Sequence, residues 1–221
     1  MKLLAPNHIV LLTLLMLFTQ CKKREFSAAD ILEKSIAYHD PTNKWPLLKA
    51  HMNFEEIHMK DSVEVVRETQ IWIDNSTGYF KINRGGDEIH GVAMDSCFIE
   101  KGNSNCDQAK RMRNYYVYLW GLPMKLKDSG TLLKNEFIDT HWVGEPAYQV
   151  QVDYEEDTWY FYFNKVNFKL IGYSFVKKDG SGENILLSDE VKVAGLKLPQ
   201  KRSWYTLDTN KFLGTDILLG E

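Results

Sequence analysis

The stretch from residue 148 to residue 207 leaves this chain few ways to fold. Tyr148, Val150, Val152 and Tyr154 alternate with Gln149, Gln151 and Asp153. After the acidic turn Glu155-Glu156-Asp157 comes Thr158-Trp159-Tyr160-Phe161-Tyr162-Phe163. Asn164-Lys165 turns the chain, Ile171, Tyr173 and Phe175 alternate along 169–176, and Lys178-Asp179-Gly180-Ser181-Gly182 turns it again before strands at 184–193 and 197–207. Period-two alternation with turn chemistry at roughly eight-to-twelve-residue spacing is how an antiparallel meander reads.

The first half repeats the pattern around two helices. Ser27-Ala28-Ala29-Asp30 has the form of a capping box, and Ala28, Leu32 and Ile36 follow at helical spacing. The spacing predicts a short helix over 28–38, stopped by His39-Asp40-Pro41. Strands are expected at 48–58, 64–74, 79–83, 88–93 and 96–100. Residues 108–120 lack β-turn signals and place Met112, Tyr115, Tyr116 and Leu119 on one face of a second helix, which Gly121 and Pro123 end. The class is α+β, mainly antiparallel β. No repeat, low-complexity tract or linker divides it, so residues 27–221 read as one domain.

Ahead of that domain, Lys2 precedes an apolar run from Ile9 to Phe18, then Thr19-Gln20-Cys21. One early charge and roughly ten apolar residues make a secretory signal, about half the length a spanning helix needs. Phe18-Thr19-Gln20-Cys21 resembles a bacterial lipobox, although Gln20 stands where a small residue is usual. Residues 1–20 are therefore expected to be a lipoprotein signal peptide, Cys21 the acylated residue, and residues 21–26 a charged tether. The acyl groups would hold the protein to a membrane facing the periplasm, the outer membrane favoured. Each buried methylene contributes about 0.8 kcal/mol.

Export bears on the other two cysteines. Cys97 and Cys106 flank a Lys-Gly-Asn-Ser stretch read as a hairpin tip, where they can face each other in an oxidising compartment. A metal pair is the rival reading, but no second pair or nearby histidine completes four ligands. Facing geometry is not legible from spacing, so bridge and free thiols both stay open.

The net charge of −3, with no basic stripe beyond Lys110-Arg111-Met112-Arg113, gives no sign of a nucleic-acid partner; that tetrapeptide fits one turn of a solvated helix. There is no nucleophile elbow, phosphate loop, H-E-x-x-H or C-x-x-C, hence no cofactor, no metal and no catalytic residues are expected. His39-Asp40 could pair as a base and its orienter, yet a helix C-terminus explains both residues. His51 and His58 fall on opposite faces of one strand. The acidic turn at 153–157 lacks the ligand spacing of a calcium loop.

One strand stands out because both its faces are aromatic: Trp159, Phe161 and Phe163 on one, Tyr160 and Tyr162 on the other. Either it is a central strand covered on both sides, or one face lines an apolar pocket. The bulkier face, Trp159, Phe161 and Phe163, is the expected ligand surface. The helix carrying Tyr115, Tyr116 and Leu119 is its lid.

Helix, meander, inserted aromatic helix and second meander, with Trp159 to Lys165 leading into Lys169-Leu170-Ile171 and Val193-Ala194-Gly195-Leu196-Lys197-Leu198-Pro199 before Trp204, resemble the lipoprotein-carrier superfamily, LolA/LolB-like. The chain also resembles a group of uncharacterised Bacteroidota lipoproteins of that type. The resemblance covers about residues 27–218. It implies a curved, unclosed half-barrel whose helices lid a concavity for acyl chains, in a protein of the membrane-bound receptor type. The expected function is non-catalytic binding of a lipid or lipoprotein acyl chain. The alternative is an envelope interaction or sensor module that contacts a partner protein.

Overall fold

The computed structural model describes residues 26–220. The expected signal peptide and Cys21 lie outside the described residues. Of the expected tether only Phe26 lies within them, and it packs rather than dangles, its ring 5.5 Å from Phe137 and 5.8 Å from Tyr148.

Helix α1 (Ala28–His39) starts where the capping box places it: Asp30 N donates to Ser27 Oγ, and the Asp30 carboxylate accepts from Ser27 N at 2.9 Å. Its buried residues Ala28, Ile31, Leu32, Ser35 and His39 form one stripe. Two residues at its end divide the work expected of a cap. Asp40 accepts from the backbone N–H of Lys44 at 2.7 Å and of Trp45 at 2.8 Å, starting a single 3₁₀ turn. His39 turns inward, fully buried, with Nδ1 2.6 Å from the Lys197 carbonyl and Nε2 accepting from Leu170 N at 3.0 Å. Those partners require a neutral ring with its proton on Nδ1. Base and orienter do not converge here.

Burial lowers the His39 pKa to about 4, the Lys197 carbonyl opposing. The unfolded ring titrates near 6.5, so between about 4 and 6.5 the unfolded chain binds the extra proton. The contribution of His39 is complete above that window and is lost as pH falls through it. That loss amounts to about 3 kcal/mol. Urea midpoints measured from pH 7 down to pH 4 should converge between wild type and His39→Gln; a gap that stays constant would contradict this.

The strands are β1 (Lys49–Lys60), β2 (Val63–Asp74), β3 (Tyr79–Arg84), β4 (Glu88–Ala93), β5 (Ser96–Lys101), β6 (Leu132–Trp142), β7 (Glu145–Asp153), β8 (Asp157–Asn164), β9 (Leu170–Lys177), β10 (Gly182–Ser188), β11 (Val191–Val193), β12 (Leu196–Leu198), β13 (Lys201–Thr206) and β14 (Phe212–Gly220). Twelve form one antiparallel sheet in the order β5-β4-β3-β2-β1-β14-β13-β10-β9-β8-β7-β6. The two expected runs are thus halves of one sheet, joined where β14 pairs with β1 from Phe54↔Leu218 to His58↔Gly214. β5 and β6 end the order and do not pair with each other, so the curved sheet is unclosed, as expected.

The expected strand at 184–193 breaks at Ser188, and β11 and β12 form a separate two-stranded hairpin. Ala194 and Gly195 make its two-residue turn, both at positive φ (48° and 89°), which glycine adopts without strain. Leu196 and Leu198 are wholly buried. The Gly-Leu-Lys-Leu-Pro motif is therefore a plug for the core and the anchor for His39.

Helix α2 (Cys106–Trp120) begins at Asn105, whose side chain accepts from Gln108 N at 2.9 Å. This corrects the expected hairpin tip: Cys106 is the first residue of α2, and its bond to Cys97 ties that helix to edge strand β5, with Cα atoms 5.4 Å apart. The helix lies between two core clusters. Tyr116 and Trp120 join Phe54, Phe80 and Ile82. Leu119 joins Phe161, Tyr173 and Ile185 with the α1 stripe.

Candidate functional site

A cavity of about 1450 Å³ runs beside α2. It lies between the two helices' footprints, α1 packing against β6 and β12 and α2 against β3, β4 and β5. Trp159 on β8, Tyr173 and Phe175 on β9, Trp204 on β13 and Leu213 on β14 line its apolar side. Trp159 stacks on Phe175 at 5.2 Å and on Tyr173 at 5.5 Å. Tyr118 meets Trp159 edge-on, and its hydroxyl lies 2.7 Å from that of Tyr154.

Of the six expected ligand residues, Trp159, Tyr115, Tyr116 and Leu119 line this cavity. Phe161 and Phe163 do not: both are wholly buried among Ala28, Ile31 and Leu32. They belong to the expected inward face, but α1 fills the concavity above them and leaves only the Trp159 end open. On the opposite face Trp142 stacks on Tyr162 at 3.8 Å and lies over Gly172, where a Cβ would collide with the indole. The doubly aromatic strand is thus covered on both faces, and one end of its inner face reaches the cavity.

The other side of the cavity is ionic. Arg67 on β2, Glu56 on β1 and Asp216 on β14 line it, and these three with Arg202 on β13, which lies outside the lining, are consecutive register partners across four neighbouring strands. The Glu56 side chain is 5% exposed. Its Oε2 accepts from Arg67 Nε at 2.8 Å and Nη2 at 2.5 Å, and from Arg84 Nη2 at 3.3 Å; the Tyr116 hydroxyl donates to Oε1. Burial alone would raise the Glu56 pKa, but the Tyr116 hydroxyl and the two guanidiniums outweigh it and hold the carboxyl below its usual range. Burial, with Glu56 as a neighbour, pushes Asp216 up to about 7. Arg202 is 1% exposed, donates from Nη2 to the Leu119 carbonyl at 2.6 Å, and sits 4.3 Å over the Trp120 ring. Arg111, exposed as a solvated helix face requires, and half-buried Arg113 also border the cavity, one residue either side of Met112.

Sequence reasoning missed this row, although a signal was present. Glu56 shares the parity of Met52 and Phe54, Arg67 that of Ile71 and Ile73, and Asp216 that of Leu218. Charges at inward positions of amphipathic strands mark polar groups set in a core. No group of three metal-ligating side chains occurs among the described residues, and no helix among them is long and apolar enough to cross a membrane.

The family model described as "Family of unknown function (DUF6503)" matches residues 7–221. No curated protein matches the chain. Among solved structures, a LolA superfamily protein from Nitrosomonas europaea aligns with a TM-score of 0.51 at 12% identity, covering 88% of this chain and 92% of its own. A putative outer membrane lipoprotein-sorting protein domain from Vibrio parahaemolyticus aligns with a TM-score of 0.51 at 9% identity, over 86% and 89%. A DUF1329 family protein from Desulfovibrio piger does so at 8% identity with the same score, over 85% and 90%. At such identities the likeness is one of fold, and the fold is LolA-like.

Proposed function

From a chain that belongs to DUF6503, a family of unknown function, we propose a non-catalytic envelope lipoprotein that holds an acyl chain in the cavity beside α2. The observation that carries this reading is the cavity itself. At about 1450 Å³ it exceeds the usual volume of a small-molecule site, roughly 300–1,000 Å³, and one side carries aromatic and aliphatic side chains from four strands, β8, β9, β13 and β14. Trp159, Tyr115, Tyr116 and Leu119, with Tyr118 and Phe175, are the proposed contacts. Acylation at Cys21 supplies the membrane attachment, and the cell envelope, facing the periplasm, is the proposed location.

Native mass spectrometry of the full chain isolated from membranes tests this. The expected spectrum contains a one-to-one acyl-lipid adduct. Phe175→Asp, which places a charge in the apolar wall at a half-buried position, should remove it with the circular dichroism unchanged. Bare protein in both samples, or a retained envelope protein partner in place of lipid, favours the interaction module.

A further inference from the structure

Glu56 cannot satisfy the cations gathered round it. Its Oε2 already accepts three N–H groups from Arg67 and Arg84, and its Oε1 is taken by Tyr116. Arg84 Nε is buried and makes no hydrogen bond, while Arg84 Nη1 reaches only the Met112 sulfur at 3.9 Å. Arg111 and Arg113 flank that methionine and line the same cavity, with Arg113 Nε donating to its neighbour Asn114 at 3.1 Å. Four guanidiniums therefore stand at this end against two acids, Glu56 and Asp216. The cavity's other acids lie elsewhere: Asp128 is paired with Lys125, and Glu183 sits opposite Phe175 at the apolar end.

The geometry points to a seat for an acidic head group, a carboxylate or a phosphate, held by Arg84 and the α2 arginines while the chain lies along the Trp159–Phe175 wall. This rests on the acyl-binding reading and names its ligand class: an anionic amphiphile. Guanidiniums offer fork-shaped donor pairs that match carboxylate and phosphate oxygens, and an incoming anion would take the donors that Glu56 leaves unspent. Six strand spacings separate β3, which carries Arg84, from β9, which carries Phe175, about 29 Å measured along the curved sheet and less across its concavity, so the head and tail sites lie apart on the cavity wall.

Titrating the full chain with dodecanoate, dodecyl phosphate and dodecanol isolates the head-group contribution. Dodecanoate or dodecyl phosphate should bind at least about tenfold tighter than dodecanol, an ordinary difference for a charge-assisted bidentate contact. Whichever anion leads identifies the head as carboxylate or phosphate. Arg84→Gln should collapse that gap. Because Arg84 also supports Glu56, Arg111→Gln with Arg113→Gln repeats the test at sites outside the Glu56 cluster. Equal affinity for all three amphiphiles, or a gap that survives both variants, overturns the head-group seat and leaves acyl binding intact. Inorganic phosphate that binds as well as the amphiphiles overturns it too. Binding of none of the three sinks the acyl-binding reading itself.

Discussion

Glu56→Leu is expected to lower folding stability by about 3 kcal/mol, seen as a reduced urea midpoint at unchanged slope. Glu56 is the shared counter-ion of Arg67 and Arg84 and the acceptor for the buried Tyr116 hydroxyl. Removing one member of a buried ion pair costs about 3–5 kcal/mol, because the partner charges stay behind. Two effects keep the loss at the lower end. The Arg67 side chain is 32% exposed and that of Arg84 20%, so both can turn partly to water. Asp216, relieved of its carboxylate neighbour, will ionise more readily and take up part of the guanidinium charge. Glu56→Gln keeps the shape and one acceptor, so its loss should be smaller. A leucine variant as stable as wild type would mean that the row is solvated, and not part of the core.

Phe161→Ala should cost a further and separate amount, about 3–5 kcal/mol, with little change in the affinity for amphiphiles. The ring is wholly buried, 5.9 Å from Tyr173 and 6.0 Å from Trp159, beneath Ala28 and Ile31 of α1. Truncation leaves a void that the surrounding strands cannot close, since β8 is fixed in register between β7 and β9. Phe175→Ala should show the opposite pattern, a small loss of stability and a larger loss of binding, because Phe175 is only half-buried and lines the cavity. Were Phe161 a ligand contact, as the sequence pattern suggests, its truncation would weaken binding first.

That reversal indicates where the sequence stops being informative. Alternation placed Trp159, Phe161 and Phe163 on one face, and the structure agrees. Which part of the face a helix covers depends on how α1 docks, a contact between segments more than a hundred residues apart. The same limit hid the seam: β14 pairs with β1 across most of the chain, and nothing local in Phe212–Gly220 names its partner. β6 was missed for a different reason. It is an edge strand with exposed Leu132 and Ile138 and no consistent inward face, so period two is absent from its residues. By contrast α1 and β1 to β4 were readable almost to the residue, because caps, turns and alternation are written locally.

Titration of the full chain with octanoate, decanoate, dodecanoate and tetradecanoate, followed by calorimetry and tryptophan emission, tests the acyl cavity most directly. Burying roughly ten methylenes is worth about 8 kcal/mol gross, and association costs of at least about 4 kcal/mol leave a net of a few. Dodecanoate should therefore bind in the millimolar range or tighter, and each added pair of methylenes should strengthen binding by up to roughly tenfold until the cavity is full. Trp159 and Trp204 line that cavity, so their emission should shift in step with the heat. Affinity that rises with length and falls away in Phe175→Asp is the predicted result; affinity independent of chain length, or no binding at all, contradicts it.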